Sequence, residues 1–241
     1  DSSMAPEGFL IRTNYSFSGD DERRRGIARY MQASNIFHQV SGKSFSYRFL
    51  LNEVSRNLKH GLTGMNLEDY APDDSEIETF MPFRDFIPRY STASVIVVQG
   101  VKENESPEFT TMWTILGFPL SCVAIPVWLN KESYYPSVLL ADNTGNALMC
   151  SWSLELKKQM FPMDDVEGRD YINLAAVVNR SDDAITQKIV HIEEAVLDRC
   201  DAEMQEWRKT GFDMKKGKRF SEWIDKFIIT EYNQTFKYLI N

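Results

Sequence analysis

Apolar and polar positions alternate in ways that divide this chain into helical and extended stretches before any other property is considered. Residues 9–14 form a short apolar run that predicts a strand, and residues 16–19 predict the turn leaving it. Asp20, Asp21 and Glu22 then open a helix with Ile27, Tyr30, Met31, Ser34 and Phe37 on one face, stopped by Gly42. A second helix follows Ser44, with Phe45, Phe49, Leu50, Val54 and Leu58 at helical spacing, ending near Gly61. Residues 63–85 are polar and broken by Pro72 and Pro82, which predicts an irregular loop holding at most one short strand. Three β-branched runs follow, at 93–101, 110–116 and 122–129, joined by short polar turns. They predict an antiparallel sheet. Residues 146–160 read as a helix, and 170–179 as a strand or an extended segment.

Two long helices close the chain. The first covers about 183–210, with Ile185, Ile189, Ile192, Val196, Met204 and Trp207 as its apolar stripe. The second runs from about Ser221 to the end and carries Trp223, Phe227, Ile228, Tyr232, Phe236 and Leu239. Gly211 and Gly217 bracket the break between them, and Lys215, Lys216, Lys218 and Arg219 read as a solvated linker. Helices, then strands, then helices again is an α+β order and not the alternation of a doubly wound sheet. A single domain of stacked sheets with outer helices fits it.

Composition narrows the function classes. The chain has 241 residues, 43% hydrophobic and 26% charged, which is ordinary for a globular protein. A net charge of −8 argues against a nucleic-acid partner. The Arg23-Arg24-Arg25 run directly follows the acids at 20–22 and reads as charge balance at a helix start. No apolar run reaches membrane-spanning length, and no secretory leader is visible at the start. Asp1 is not a natural initiator, so the sequence reads as processed or trimmed.

Candidate chemistry lies at two strand ends. Asn14 follows Thr13 at the end of the first strand, where a side-chain amide can be aimed at an oxyanion; an Asn there is also a common turn residue. Residues 87–94 place Arg89, Ser91, Thr92 and Ser94 at the entrance of the strongest strand, where they can face a pocket or simply cap the strand. The three cysteines, Cys122, Cys150 and Cys200, form no CxxC pair, and their odd count cannot close a disulfide framework. Cys122, at the start of an apolar strand, reads as structural. His38, His60 and His191 show no metal-binding spacing, and residues 142–146 hold too few carboxylates for a calcium loop. No metal or organic cofactor is implied.

Taken together, the two strand ends resemble a known group. Gly8-Phe9-Leu10-Ile11-Arg12-Thr13-Asn14-Tyr15-Ser16-Phe17-Ser18-Gly19, Arg89-Tyr90-Ser91-Thr92-Ala93-Ser94 and Met112-Trp113-Thr114-Ile115-Leu116-Gly117 are similar, in order and type, to runs in a bacterial branch of the amino-terminal-nucleophile hydrolases. That branch is related to choloylglycine hydrolase and acyl-coenzyme A:6-aminopenicillanate acyltransferase, and the resemblance is densest over residues 8–128. It implies an αββα sandwich in which a mature amino-terminal Cys attacks a linear amide, its own α-amine acting as the base. On this resemblance Asn14 stabilises the oxyanion, and Ser91 or Ser94 orders the nucleophile. Arg89 contacts the substrate, while Tyr15, Trp113 and Phe118 wall the acyl pocket. The chain departs from the family in having Val95 where an Arg follows the strand-entrance Ser, and in having no Cys, Ser or Thr at position 1.

The resulting expectation is part of an amidase or acyltransferase for a small acyl amide, silent as isolated, with the nucleophile on an upstream segment. A companion chain or a homo-oligomer is expected, and bacterial export is favoured by the family's habit. The rival expectation is a noncatalytic domain that uses the same pocket to hold a ligand or partner.

Overall fold

A computed structural model describes residues 8, 10–13, 26–128, 134–163, 165 and 167–237. Helix α1 (Ile27–Val40) starts after Gly26 and ends ahead of Gly42, both with positive φ, where a glycine meets no Cβ penalty. A single turn α2 (Tyr47–Phe49) runs directly into a π-helical turn, Leu50–Val54. The helix expected from Phe45 to Leu58 is thus shorter and wider than its spacing suggested. The wider turn lets Leu51 bury completely while Asn52 and Arg56 stand four apart and bond each other at 2.9 Å.

Strand β1 (Phe80–Pro82) pairs antiparallel with β5 (Tyr171–Asn173), and β2 (Val95–Gln99), β3 (Thr111–Ile115) and β4 (Ile125–Trp128) form an antiparallel sheet in the order β2-β3-β4. Val97 faces Trp113, and Trp113 faces Pro126. Pro126 is tolerated because β4 is an edge. Helix α3 (Leu148–Met160) follows, and α4 (Ile185–Thr210) and α5 (Met214–Thr235) close the chain. The mixed α+β class with small antiparallel sheets is as the pattern indicated.

Two details differ from the sequence pattern. The buried side of α1 is Ala28, Tyr30, Gln32, Ser34 and Ile36, so a glutamine takes a core position. The basic run at 215–219 is not a linker but the first turns of α5, because Asp213 caps that helix, accepting from the Lys215 amide at 2.8 Å. Gly217 is buried within it, close against the Phe212 ring.

One apolar core joins the elements from α2 to α5. The α4 stripe of Ile185, Ile189, Ile192, Val196, Met204 and Trp207 is buried as its spacing required. Trp207 meets Trp128 of β4 at 5.1 Å and Phe212 at 5.2 Å, so the sheet and the closing helix pair share aromatic contacts. No helix among the described residues is long and apolar enough to cross a membrane.

Candidate functional site

Two hollows lie against α1, and the first involves residues 10–13, which run as irregular chain and not as the strand that the apolar run predicts. Leu10, Ile11, Arg12 and Thr13 line a cavity of about 340 Å³ together with Arg29, Ala33, Phe37, Val54 and Ile87. Thr13 is fixed there by its hydroxyl, which donates to the Gly26 carbonyl at 3.2 Å. Ile87 brings the segment before β2 to the same hollow. Asn14 and Tyr15 lie outside the described residues.

The segment at 89–94 folds as a turn. The Arg89 amide donates to the Thr92 hydroxyl at 3.0 Å, and the Thr92 amide donates back to the Arg89 carbonyl at 2.8 Å. Arg89 is half-buried, whereas Ser91 and Ser94 are exposed. Burial holds the Arg29 guanidinium below its ordinary range, and the neighbouring Arg89 charge pushes the same way; Asp85 opposes both. The entrance to β2 is therefore a cationic spot.

The expected pocket walls are divided between two places. Phe118 meets Phe161 at 5.8 Å, and Phe161 meets Tyr90 at 5.0 Å, so Phe118 belongs to the aromatic cluster beside the 89–94 turn. Lys157 lies 3.9 Å from the Tyr90 ring centre and donates to the Tyr90 carbonyl. Trp113 sits elsewhere. It stacks on Tyr47 at 4.1 Å with its indole N–H donated to Gln99, which gives the ring a core-packing role.

None of the three cysteines is placed to attack an amide. Cys122 is fully buried, and burial pushes its thiol up to about 12, with Arg56 only partly opposing. Burial raises Cys200 in the same way. Cys150 is exposed on α3, and no bond from its sulfur to a base is formed among the described residues. Among those residues no three His, Cys, Asp or Glu side chains gather as metal ligands.

The second hollow is larger, about 560 Å³, between α1, the π-helical turn and the start of α4. Its floor includes Arg56, which forms a buried pair with Glu193 at 2.7 Å. Burial by itself disfavours the Arg56 charge, but the Glu193 carboxylate outweighs it and holds the guanidinium above its ordinary range. Arg56 also donates to the carbonyls of Pro119 and Cys122 at 2.8 and 3.1 Å and to Asn52. Glu193 in turn accepts from the Ala124 amide. The pair thereby satisfies three backbone groups of residues 117–124, an irregular segment buried throughout.

A scan against protein-family models and searches of curated proteins and of solved structures found no match.

Sequence reasoning overlooked this second hollow. Its signal was present as carboxamides at 32, 35 and 39, a stripe of one residue type at helical spacing, followed by Asn52 and Asn57.

Proposed function

We propose that this chain carries the oxyanion and acyl-binding side of an αββα amide hydrolase or acyltransferase of the amino-terminal-nucleophile class. The attacking thiol comes from residues outside this sequence, because Cys122 and Cys200 are buried and protonated and Cys150 has no base beside it. The reading is carried by the hollow at residues 10–13. It brings Ile11, Arg12 and Thr13, which lead directly into Asn14, beside Ile87, two residues ahead of Arg89.

In this scheme the Asn14 amide N–H donates to the oxyanion as the tetrahedral intermediate forms, an interaction absent from the planar substrate. Burial and, after it, the Arg89 charge disfavour the charged form of Arg29, so an anionic group on the acyl amide offsets both on binding. Apolar Ile11, Phe37 and Ile87 suit a hydrocarbon acyl tail.

The test is amine release from N-acyl amides of graded acyl length by the whole gene product. Release is expected, and Asn14→Ala should reduce kcat by about 100-fold or more while the circular dichroism spectrum is kept. Amine release unaffected by that substitution refutes the assignment. Binding of the same amides with no amine released supports the second reading, a noncatalytic binding domain, which the inert placement of Cys122 and Cys200 favours.

A further inference from the structure

We propose that the cleft between α1, the π-helical turn and the start of α4 binds a small, uncharged, hydroxyl-rich ligand of the saccharide or polyol class. The cleft's 560 Å³ falls within the range of about 300–1,000 Å³ typical of small-molecule sites. It lies on a different face of α1 from the hollow at residues 10–13 and does not depend on the amide-cleaving reading.

The chemistry of the lining selects the ligand. Gln32, Asn35 and Gln39 stand three and four residues apart on α1 and present carboxamides along one wall, with Asn52 on the π-helical turn. A carboxamide offers donors and an acceptor together, which matches hydroxyl groups that also do both.

Gln32 provides the independent observation. It is only 4% exposed, and its Oε1 has no hydrogen-bond partner among the described residues. Its orientation is fixed by the neighbouring Asn57. Asn57 Oδ1 accepts from the Lys59 amide at 3.1 Å, and Asn57 Nδ2 donates to the Glu53 carbonyl at 3.0 Å, so that side chain has one orientation. Gln32 must then turn its Nε2 to Asn57 Oδ1, at 3.0 Å, and its acceptor is left over. Such an acceptor is costly when unpaired, by about 1–3 kcal/mol, and with almost no exposed surface it meets a ligand hydroxyl only as the Gln32 side chain turns toward the cleft.

Charged ligands fit less well. Arg56 looks like an anion anchor, yet its five N–H groups are all taken, by Pro119, Cys122, Asn52 and both oxygens of Glu193. Carboxylates of Glu53, Glu68 and Asp182 on the lining outnumber the single lysine, Lys59, and repel an anion. Two of the three are already engaged, Glu68 by Asn66 and Asp182 by His191 at 3.3 Å, which weakens the case for a cation. Phe49, Val178 and Val190 on the lining are only partly buried and supply apolar surface for the C–H faces of a sugar ring.

The experiment is isothermal calorimetry and thermal shift on the wild-type protein with glucose, N-acetylglucosamine, maltose and glycerol, against inorganic phosphate and spermidine at matched ionic strength. At least one neutral probe is expected to bind and raise the melting temperature, whereas phosphate and spermidine should not. Asn35→Ala with Gln39→Ala, both exposed positions, should weaken that binding about tenfold without changing the unliganded melting temperature. Gln32→Leu, which removes the orphaned acceptor, should weaken it as well, and the exposed pair stands in if Gln32→Leu misfolds. The proposal fails if no neutral probe binds at tens of millimolar, if phosphate or spermidine binds more tightly, or if the Asn35/Gln39 double variant binds like wild type.

Discussion

Arg56 illustrates how a buried charge is tolerated. Each of its donors meets an acceptor, and one oxygen of its salt-bridge partner, Glu193 Oε2, also takes the Ala124 amide. Removing either partner leaves the other charge buried and uncompensated, so Glu193→Ala should cost about 3–5 kcal/mol in a denaturant titration. Arg56→Met combined with Glu193→Met should be less harmful than the sum of the single changes, because no orphaned charge remains. Cys122 gives a prediction in pH. Its folded thiol lies at about 12 against an ordinary 9.0, so between those values the folded protein holds a proton that the unfolded chain has released. The sign follows: this contribution to stability is full below about 9 and is lost as pH rises toward 12. Alkaline unfolding curves of wild type should fall more steeply over that window than those of Cys122→Ala. In the native state a thiol reagent should label Cys150 alone, with Cys122 and Cys200 reacting only in denaturant.

The elements around the cleft depend on close approach of backbone to backbone. The loop at 57–66 doubles back on α1, with an isolated bridge between Lys59 and Asn66, and Gly61 touches the helix where a Cβ would run into the Ala28 carbonyl oxygen and the Gln32 amide. Neither obstacle can rotate aside. Gly61→Ala should therefore lower stability by about 1–3 kcal/mol, read as a shift in the denaturation midpoint. A negligible shift would mean that the loop stands off from α1. The π-helical turn is the other element that periodicity misjudged. Phe45, Phe49, Leu50, Val54 and Leu58 fit one helical stripe, yet Phe45 is exposed and Leu51 is the fully buried residue. A five-residue turn rotates the face that a 3.6-residue period selects, and no local residue type announces it.

At the scale of the molecule, the long amphipathic stretches were legible and the irregular ones were not. The α4 stripe and the three-stranded sheet follow from spacing and β-branching, because their burial is decided by periodic local pattern. The buried segment at 117–124 follows from no pattern. It is held by Arg56, Ser153, Thr186 and Glu193, which lie far from it in sequence and make sense only once the chain is folded. The cleft shares that fate, since α1, the π-helical turn and α4 meet there from separate parts of the chain. The hollow at Ile11 to Thr13 is likewise built from separate parts of the chain, since residues 10–13, α1 and Ile87 meet there and no strand forms at 10–13. The same long-range ties predict how the molecule comes apart. Core residues from Tyr47 to Phe236 form one connected cluster, with Trp113, Trp128, Trp152 and Trp207 inside it and Trp223 packed against it. The Arg56–Glu193 pair bolts α4 to the segment before β4, and Trp152 of α3 stacks on Tyr232 of α5 at 4.9 Å. None of α3, α4 and α5 can leave without opening a cavity that the sheet also lines. Tryptophan fluorescence, which reads the core, and far-ultraviolet circular dichroism, which reads the helices, should give coincident denaturation curves with one midpoint. A helical transition separated from the fluorescence transition would show that α4 and α5 form a unit with a stability of their own, and the single shared core would then be the wrong description.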